Sequence, residues 1–230
     1  MNIAVIPARG GSKRIPRKNI KMFYGKPMIA WSIEAAKASD CFDKIIVSTD
    51  DDEIAEVARE YGAWVPFKRP ASLSDDYIGT TDVIKHAAEW LATRGYDVQY
   101  LCCLYATAPF ICADDLRRAK NLIETSFADY VFSATTYAFP IQRALKVDDQ
   151  GRVSMFQPEN FNTRSQDLVE AWHDAGQFYW GVRDAWLERR PIFSTAARLL
   201  QLPRHRVQDI DTPEDWARAE WLFKAMQAGQ

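Results

Sequence analysis

The sequence begins with Asn2-Ile-Ala-Val-Ile-Pro-Ala-Arg-Gly-Gly-Ser-Lys-Arg-Ile-Pro-Arg-Lys-Asn19, in which a short apolar run changes into a glycine-rich basic loop. The apolar run predicts a buried first strand. The loop after it carries five cations, namely Arg9, Lys13, Arg14, Arg17 and Lys18. Adjacent glycines adopt backbone angles closed to other residues and let main-chain N–H groups approach an anion, whose charge the cations neutralise. Open α/β sheets bind ligands at the carboxyl ends of their strands, so the stretch predicts a nucleoside triphosphate site.

This basic loop differs from the two common phosphate-binding motifs. No glycine lies five positions before Gly10 or Gly11, as a P-loop requires, and no third glycine follows to complete a dinucleotide fingerprint. An ordinary solvated surface loop is the alternative interpretation. Its position directly after the first strand favours the ligand site.

The composition limits the class of protein. With 230 residues, 47% of them apolar and 26% charged, the chain predicts a single domain over residues 1–230 with one insertion. A net charge of −2 argues against nonspecific binding to nucleic acid or membranes. The four cysteines have neither metal-site spacing nor the density of a disulfide scaffold. No run approaches the ~20 apolar residues of a membrane span and no signal peptide is recognisable, so we expect a cytoplasmic protein.

Strand-like and helix-like segments alternate along the chain, which is typical of an α/β fold with a mostly parallel sheet covered on both faces. The predicted strands are residues 3–7, 44–49, 64–67, 98–104, 130–136, 177–182 and 199–203. The predicted helices are residues 27–39, 51–61, 81–93 and 113–126, with a last helix opened by Thr212-Pro213-Glu214-Asp215. Residues 137–172 break this rhythm, and we interpret them as a hairpin insertion or a partner-contact arm.

A pair of carboxylates precedes the last helix in Asp209-Ile210-Asp211. Residues two apart in an extended segment point to the same side, so both carboxylates could face one point. Hard oxygen ligands with room for water and phosphate oxygens are what Mg²⁺ prefers. The alternative is that Asp211 is a turn residue and Asp209 a surface charge. Together with a phosphate loop, the pair indicates a magnesium clamp on a triphosphate.

A third polar cluster runs from Arg164 to Gly181 and mixes charged, amide and aromatic side chains around a glycine turn. Arg164 could bind a substrate carboxylate through two parallel hydrogen bonds. His173, Gln177 and Tyr179 could bind hydroxyl or amide groups. A lone histidine is more often structural than catalytic, so we interpret His173 as a contact residue and not as a general base.

Four segments taken in order resemble the acylneuraminate cytidylyltransferases: residues 8–19, Ile45-Ile-Val-Ser-Thr-Asp50, Arg69-Pro70 and residues 209–215. Two further segments, Tyr105-Ala-Thr-Ala-Pro-Phe110 and residues 173–181, are most similar to the pseudaminic acid branch of that family. The sialic acid branch usually has Gln-Pro-Thr-Ser-Pro-Leu-Arg at the first of these places.

The resemblance implies a fold and an activity. The fold is a three-layer α/β sandwich of the nucleotide-diphospho-sugar transferase type with a small dimerisation insertion. The reaction joins CTP to a nine-carbon nonulosonic acid, most similar in this branch to pseudaminic acid, and gives a CMP-sugar and pyrophosphate with the help of Mg²⁺. Members of the family are commonly homodimers in which an arm reaches the neighbour's sugar site, and residues 137–172 fit such an arm.

The resemblance also implies site residues. In it, Asn19 shapes the loop or meets the nucleotide, and Arg69 with Thr80 or Thr81 lies near the base and ribose. The expected nucleotide-binding residues are Arg9, Gly10, Gly11, Ser12, Lys18, Asn19, Arg69, Thr80, Thr81 and Tyr105. The expected sugar-binding residues are Thr107, Arg164, His173, Asp174, Gln177 and Tyr179. The expected catalytic residues are Arg9, Lys18, Asp209 and Asp211, of which the two aspartates are the metal ligands.

Two other classes of function stay open at this point. A glycosyltransferase would also use an Asp-x-Asp pair, but it takes a finished nucleotide sugar and has less need of a dense cationic loop. A non-catalytic CTP-binding module would bind the nucleotide without a sugar pocket. A Rossmann oxidoreductase lacks its glycine fingerprint here.

Overall fold

The structure is a computed structural model that describes residues 1–75 and 78–228. Its strands are β1 (Asn2–Pro7), β2 (Met22–Phe23), β3 (Lys26–Pro27), β4 (Lys44–Ser48), β5 (Tyr100–Leu104), β6 (Tyr130–Thr136), β7 (Leu145–Val147), β8 (Val153–Met155), β9 (Trp172–Val182) and β10 (Ala197–Gln201). Its α-helices are α1 (Met28–Ser39), α2 (Asp52–Glu60), α3 (Thr80–Ala92), α4 (Ala113–Ser126), α5 (Arg183–Glu188) and α6 (Pro213–Ala228).

Six strands form the central sheet in the order β10-β6-β9-β5-β1-β4. Strand β1 pairs in parallel with β4 and β5, and β6 pairs in parallel with β10. Strand β9 lies antiparallel between β5 and β6. The sheet is therefore mostly parallel, which confirms the prediction from the alternating segments.

Both faces of the sheet are buried by helices, because β1 is apolar on both sides. Ala4 and Ile6 join one core with residues of α1 and α4, while Ile3 and Val5 join a second core with residues of α3 and α5. All four side chains are fully buried. A continuous apolar strand of this kind is typical of a parallel sheet covered on both faces.

A third apolar cluster fixes the last helix against the start of the chain. The ring of Phe23 lies 5.5 Å from that of Trp216 and 5.3 Å from that of Phe223 on α6. Ile15 in the basic loop and Ile210 before α6 are buried in the same cluster. Apolar burial thus brings residues 209–211 next to the basic loop, although the two segments are almost 200 positions apart.

Local signals placed most helix ends correctly. Helix α4 and strand β6 have the bounds that their patterns predict. The predicted cap of α6 is also confirmed, because the Thr212 hydroxyl accepts from the Asp215 N–H (3.2 Å) and the Asp215 carboxylate accepts from the Thr212 N–H (2.8 Å).

Two strand predictions were wrong. Residues 64–67 form no strand, because Trp64 and Lys68 pair with β4 and its continuation only through isolated bridges, and Pro66 between them has no N–H to donate. Strand β9 begins at Trp172 and not at Gln177. Its first half contains Gly176 at φ +61° opposite a register shift in β6, and such a bulge hides the alternation expected of a strand.

The segment between β6 and β9 projects as an arm. Because these two strands are antiparallel neighbours, their connection needs no crossover helix, and residues 137–171 form instead a hairpin of β7 and β8 with short 3₁₀ turns. Several large apolar side chains of the arm are exposed, namely Phe139, Leu145, Val147, Val153, Phe156, Phe161 and Val169. None of the described helices has the length and apolar character needed to cross a membrane.

Candidate active site

The basic loop leaves β1 and is held by the acidic turn after β4. The N–H of Gly10 donates to Asp50 Oδ1 at 3.1 Å. A Cβ on Gly10 would lie 2.6 Å from Asp51 Oδ2, whereas one on Gly11 would meet nothing within 4 Å. Neither glycine has a positive φ. The expectation that both glycines supply unusual backbone angles was therefore wrong, and the expectation of a free N–H was wrong for Gly10, whose role is close packing against Asp51.

Arg17 is the cation that anchors this loop. It lies in the left-handed region at φ 55°, and its guanidinium contacts Asp51 at 2.5 Å and also Glu53. Its hydrogen bond to Asp51 is the main cause that lowers the pKa of that carboxyl to about 2. Asp51 also caps α2 by accepting from the Ile54 N–H at 3.0 Å, as the acidic run after β4 predicts. Arg17 is thus engaged in the fold, whereas Arg9, Lys13, Arg14 and Lys18 line the cavity described next.

A cavity of about 300 Å³ lies at the carboxyl end of β1. It gathers the basic loop, the turn after β5, the start of α3 and the segment before α6. Of the residues that the sequence points to, it is lined by Arg9, Ser12, Lys13, Arg14, Lys18, Asn19, Arg69, Thr80, Tyr105, Thr107 and Asp211. Arg9 and Asp211, which start some 200 positions apart in the sequence, therefore face the same space. Thr81 is not among the lining residues, so Thr80 is the threonine of that pair that the cavity contains.

Asp211 is held by two cations of the basic loop. Lys18 Nζ lies 3.2 Å from Asp211 Oδ1 and donates to the carbonyl of Ile210 at 2.6 Å. Arg14 contacts the other carboxylate oxygen at 2.9 Å. Asn19 stabilises the same loop from beneath, since its buried side chain donates to the carbonyl of Arg9 at 2.9 Å. These contacts position the cations of the loop on one wall of the cavity.

Arg69 is the most deeply buried cation that lines the cavity. Its side chain is 3% exposed, and its nearest charge is Asp50 at 3.4 Å. The Nε of this guanidinium has no hydrogen-bond partner among the residues that the structure describes. Burial lowers the pKa of Arg69, and an unsatisfied buried donor costs about 1–3 kcal/mol. An acceptor that reached this Nε would recover part of that free energy.

A second cavity of about 580 Å³ adjoins the first one, and Tyr105 lines both. Its walls include His173, Asp174, Tyr179, Arg204, Asp209 and Arg218. The Tyr105 hydroxyl lies 3.4 Å from that of Thr80, and the Tyr179 hydroxyl donates to the Asp174 carboxylate. Burial raises the pKa of both tyrosines, so each stays protonated at neutral pH and can donate a hydrogen bond.

Three of the six predicted sugar-binding residues lie elsewhere. Arg164 is exposed on the arm, pairs with Asp167 at 2.8 Å and lines neither cavity of its own chain. Gln177 is 3% exposed, and its Nε2 donates to the carbonyl of Arg206 at 2.5 Å, so it braces the segment after β10. Thr107 lines the first cavity and not the second. His173, Asp174 and Tyr179 do meet in the second cavity.

Sequence reasoning missed Arg204 and Arg218, which line the second cavity. Arg204 follows β10 and Arg218 lies within α6, so neither belongs to a local motif that would mark it. Their proximity depends on how α6 docks, and no spacing in the sequence reports that.

The two aspartates before α6 line different but adjoining cavities, Asp211 the first and Asp209 the second. They remain coupled, because the pKa of Asp209 is raised by burial and by the charge of Asp211. The residues that the structure describes form no cluster of three or more metal-ligating side chains. Proteins nevertheless usually bind Mg²⁺ through only one or two carboxylates, and substrate phosphates supply further ligands. A divalent cation would relieve the repulsion between Asp209 and Asp211, which contributes to the raised pKa of Asp209.

Comparisons with known proteins agree with this geometry. The sequence model of the cytidylyltransferase family matches residues 3–217. The chain is 47% identical over 223 residues to the pseudaminic acid cytidylyltransferase of Campylobacter jejuni, covering 97% of this chain and 96% of the relative. It is 34% identical over 235 residues to the CMP-N,N'-diacetyllegionaminic acid synthase of Legionella pneumophila, covering 98% and 97% of the two chains.

The fold has solved counterparts. A CMP:2-keto-3-deoxy-manno-octonic acid synthetase complexed with CTP superposes with a TM-score of 0.70 at 18% identity, over 98% of this chain and 99% of the other. The 4-diphosphocytidyl-2C-methyl-D-erythritol synthase of Anaerococcus prevotii superposes with a TM-score of 0.62 at 13% identity, over 97% and 98%. At these identities the similarity establishes the three-layer α/β fold.

Proposed function

The chain belongs to the cytidylyltransferase family, and from this premise we propose that it activates a nonulosonic acid, pseudaminic acid, with CTP to give the CMP-sugar and pyrophosphate. The observation that carries the proposal is the pair of adjoining cavities. One is walled by the cationic loop and Asp211, the other by polar side chains of β9, and Tyr105 lies between them. A triphosphate and a sugar acid would therefore meet beside Tyr105.

Catalysis of this reaction requires alignment of the two substrates more than a covalent intermediate with the protein. The anomeric hydroxyl of the sugar acid forms a bond to the α-phosphorus of CTP, the bond from that phosphorus to the bridging oxygen breaks, and pyrophosphate leaves with the electron pair. The hydroxyl proton is released in the same process. Phosphoryl-transfer enzymes work mainly by positioning and by charge stabilisation. Here Arg9, Lys13, Arg14 and Lys18 line the wall that would face the triphosphate.

Specific residues would hold each part of the nucleotide. Arg9, Ser12 and Lys18 would bind the phosphates, and Asn19 keeps their loop in shape through Arg9. Arg69 and Thr80 would face the base and ribose. Arg69 supports this assignment because it is buried against the cavity with an unsatisfied Nε.

We include Mg²⁺ in the proposal, with Asp209 and Asp211 as its protein ligands. When bound there, the ion would neutralise charge on the phosphates and on the leaving pyrophosphate. A bound triphosphate would also change the contacts of Asp211. Its present partners, Arg14 and Lys18, are the side chains that phosphates would attract, and their movement toward CTP would release this carboxylate.

A single assay tests the proposal. The protein is incubated with each of the four ribonucleoside triphosphates, Mg²⁺ and a panel of pseudaminic, legionaminic and sialic acids, and pyrophosphate is measured. We expect release only with CTP and a sugar acid, fastest with pseudaminic acid. A glycosyltransferase would release no pyrophosphate from CTP, and a CTP-binding module would bind CTP without any turnover, so either outcome would refute the proposal.

We also propose that two copies of the chain associate through the arm, residues 137–171. The support is the exposure of Phe139 (82%) and Phe161 (71%) on a segment that packs little against its own domain. Light scattering is expected to show a dimer that Phe139→Asp with Phe161→Asp converts to monomer. Phe127→Asp is the matched control, since Phe127 is 96% exposed at the end of α4. A dimer that survives the double change would exclude the arm. We also propose a cytoplasmic location, which the proposed use of CTP, a nucleotide of the cytoplasm, supports.

A further inference from the structure

The second cavity contains two arginines with no assigned role. Arg204 lies in the 3₁₀ turn after β10, and Arg218 lies within α6, so both are carried by regular elements. Arg204 donates one long hydrogen bond, 3.4 Å, to the carbonyl of Tyr137. Neither guanidinium forms an ion pair with a carboxylate in the described ranges 1–75 and 78–228, although the charge of Arg218 contributes to lowering the pKa of Asp215 on the same helix. Both residues are exposed and line this cavity.

The electrostatics of this cavity are unfavourable to a sugar acid without those arginines. Asp174 and Asp209 also line it, and both are carboxylates. In a 2-keto sugar acid the carboxylate is attached to the anomeric carbon, so it must enter beside the hydroxyl that attacks CTP. Asp209 lies near this position, since it lines the second cavity and interacts with Asp211 of the first. Like charges placed together cost several kcal/mol, so a cation must offset them.

His173 is already engaged by its neighbours. Its Nδ1 is 2.8 Å from the carbonyl of Asp174, and its ring packs on Tyr137 at 4.9 Å. Lys18, a cation of the first cavity, is engaged with Asp211 and Ile210. Guanidinium groups bind carboxylates through two parallel hydrogen bonds, and Arg204 and Arg218 have donors available for this.

We propose that Arg204 and Arg218 form the subsite that binds the substrate carboxylate and selects sugar acids over neutral sugars. The inference rests on the proposed function and adds the residues that read the acid group. It differs from the expectation from the sequence, which gave this role to Arg164, an exposed residue of the arm that lines neither cavity of its own chain. With a sugar acid bound, the cavity holds the three carboxylates of Asp174, Asp209 and the substrate, and the two guanidiniums reduce this net charge from −3 to −1.

The test compares a sugar acid with its C1 carboxamide, which keeps the shape and loses the charge. Pyrophosphate release is measured for wild type, Arg204→Gln, Arg218→Gln and the conservative Arg218→Lys. We expect each glutamine variant to raise the KM for the sugar acid at least tenfold, with the KM for CTP within twofold of wild type. The preference for acid over amide should fall at least tenfold, and Arg218→Lys should recover part of it.

Two controls keep the result specific. Arg198→Gln removes an exposed arginine of β10 that lines neither cavity, and it should change nothing. Arg164→Gln should retain the preference for acid over amide. The inference is overturned if both glutamine variants keep the wild-type preference, or if Arg164→Gln alone loses it. Absence of turnover by wild type with every sugar acid would instead refute the proposed function, and the subsite with it, which is a different result from turnover with unchanged selectivity.

Discussion

Replacing Asp211 by Asn tests the meeting of the two distant segments most directly. The change keeps the size of the side chain and removes its charge. In the structure this carboxylate contacts Lys18 at 3.2 Å and Arg14 at 2.9 Å, with 36% of the Asp211 side chain and 65% of the Arg14 side chain exposed. Pairs this exposed are screened by solvent, so the loss of folding free energy should be at most about 1 kcal/mol.

The effect on turnover should be much larger than the effect on stability. If Asp211 stabilises charge during transfer, removing one such group costs about 3 kcal/mol in the barrier, which is a 10²–10³-fold fall in kcat. The assay is pyrophosphate release at saturating CTP, sugar acid and Mg²⁺, with thermal unfolding measured in parallel. Asp184→Asn is the matched control, because Asp184 forms an ion pair of similar exposure with Arg183 on α5, away from both cavities. Turnover of Asp211→Asn within threefold of wild type, in a folded protein, would refute the assignment.

Three further predictions concern the loop and its acidic neighbours. Gly10→Ala should destabilise the protein by about 1–3 kcal/mol and weaken CTP binding, because its Cβ would lie 2.6 Å from Asp51 Oδ2. Gly11→Ala is the control, since its Cβ would meet nothing within 4 Å. Equal melting temperatures for the two variants would contradict this prediction. Arg17→Met should cost about 1 kcal/mol at pH 7, less than the full pKa shift implies because both side chains are partly exposed. The Asp51 pKa of about 2 lies below its ordinary 3.8, so this stability is present above pH 3.8 and is lost as pH falls toward 2; urea unfolding from pH 7 to pH 2 should show the gap closing. Asp209→Asn should instead raise the free energy of unfolding at pH 7, because the pKa of Asp209 is raised in the folded protein and its ionised form is unfavourable there. This gain should vanish below pH 3.8. A lower free energy of unfolding at pH 7 would contradict the direction of the pKa shift.

Much of the fold could be predicted from local patterns. The apolar run of β1, the amphipathic spacing of α3 and the capping residues of α6 each report a neighbourhood of a few positions, and each element exists in the structure. The two wrong strand predictions arise because local patterns report only a few neighbouring positions. A bulge at Gly176 hides the first half of β9 from its alternation, and single bridges at Trp64 and Lys68 do not extend into a strand.

The sequence identified only some of the residues that line the two cavities. The sequence predicts a phosphate loop at residues 9–19, since glycines and cations stand together after a buried strand, and in the structure cations of this loop line the first cavity. Gln177 looked equally suited to bind sugar, yet its side chain is buried against the carbonyl of Arg206. Which way a side chain points from a bulged strand depends on the packing around it, so residue type alone could not separate Gln177 from Tyr179.

The sequence by itself determined most of the elements, the position of the basic loop after β1 and the family resemblance, because these depend on short-range periodicity, turn chemistry and motif order. Only the tertiary structure decided which distant groups share a cavity. Asp211 reaches Lys18, and Arg218 lines the same cavity as His173, because Ile15, Ile210 and the rings of the third apolar cluster are buried together. Apolar burial is non-directional and acts between any segments that can exclude water, so no local pattern along the chain records which partners it selects.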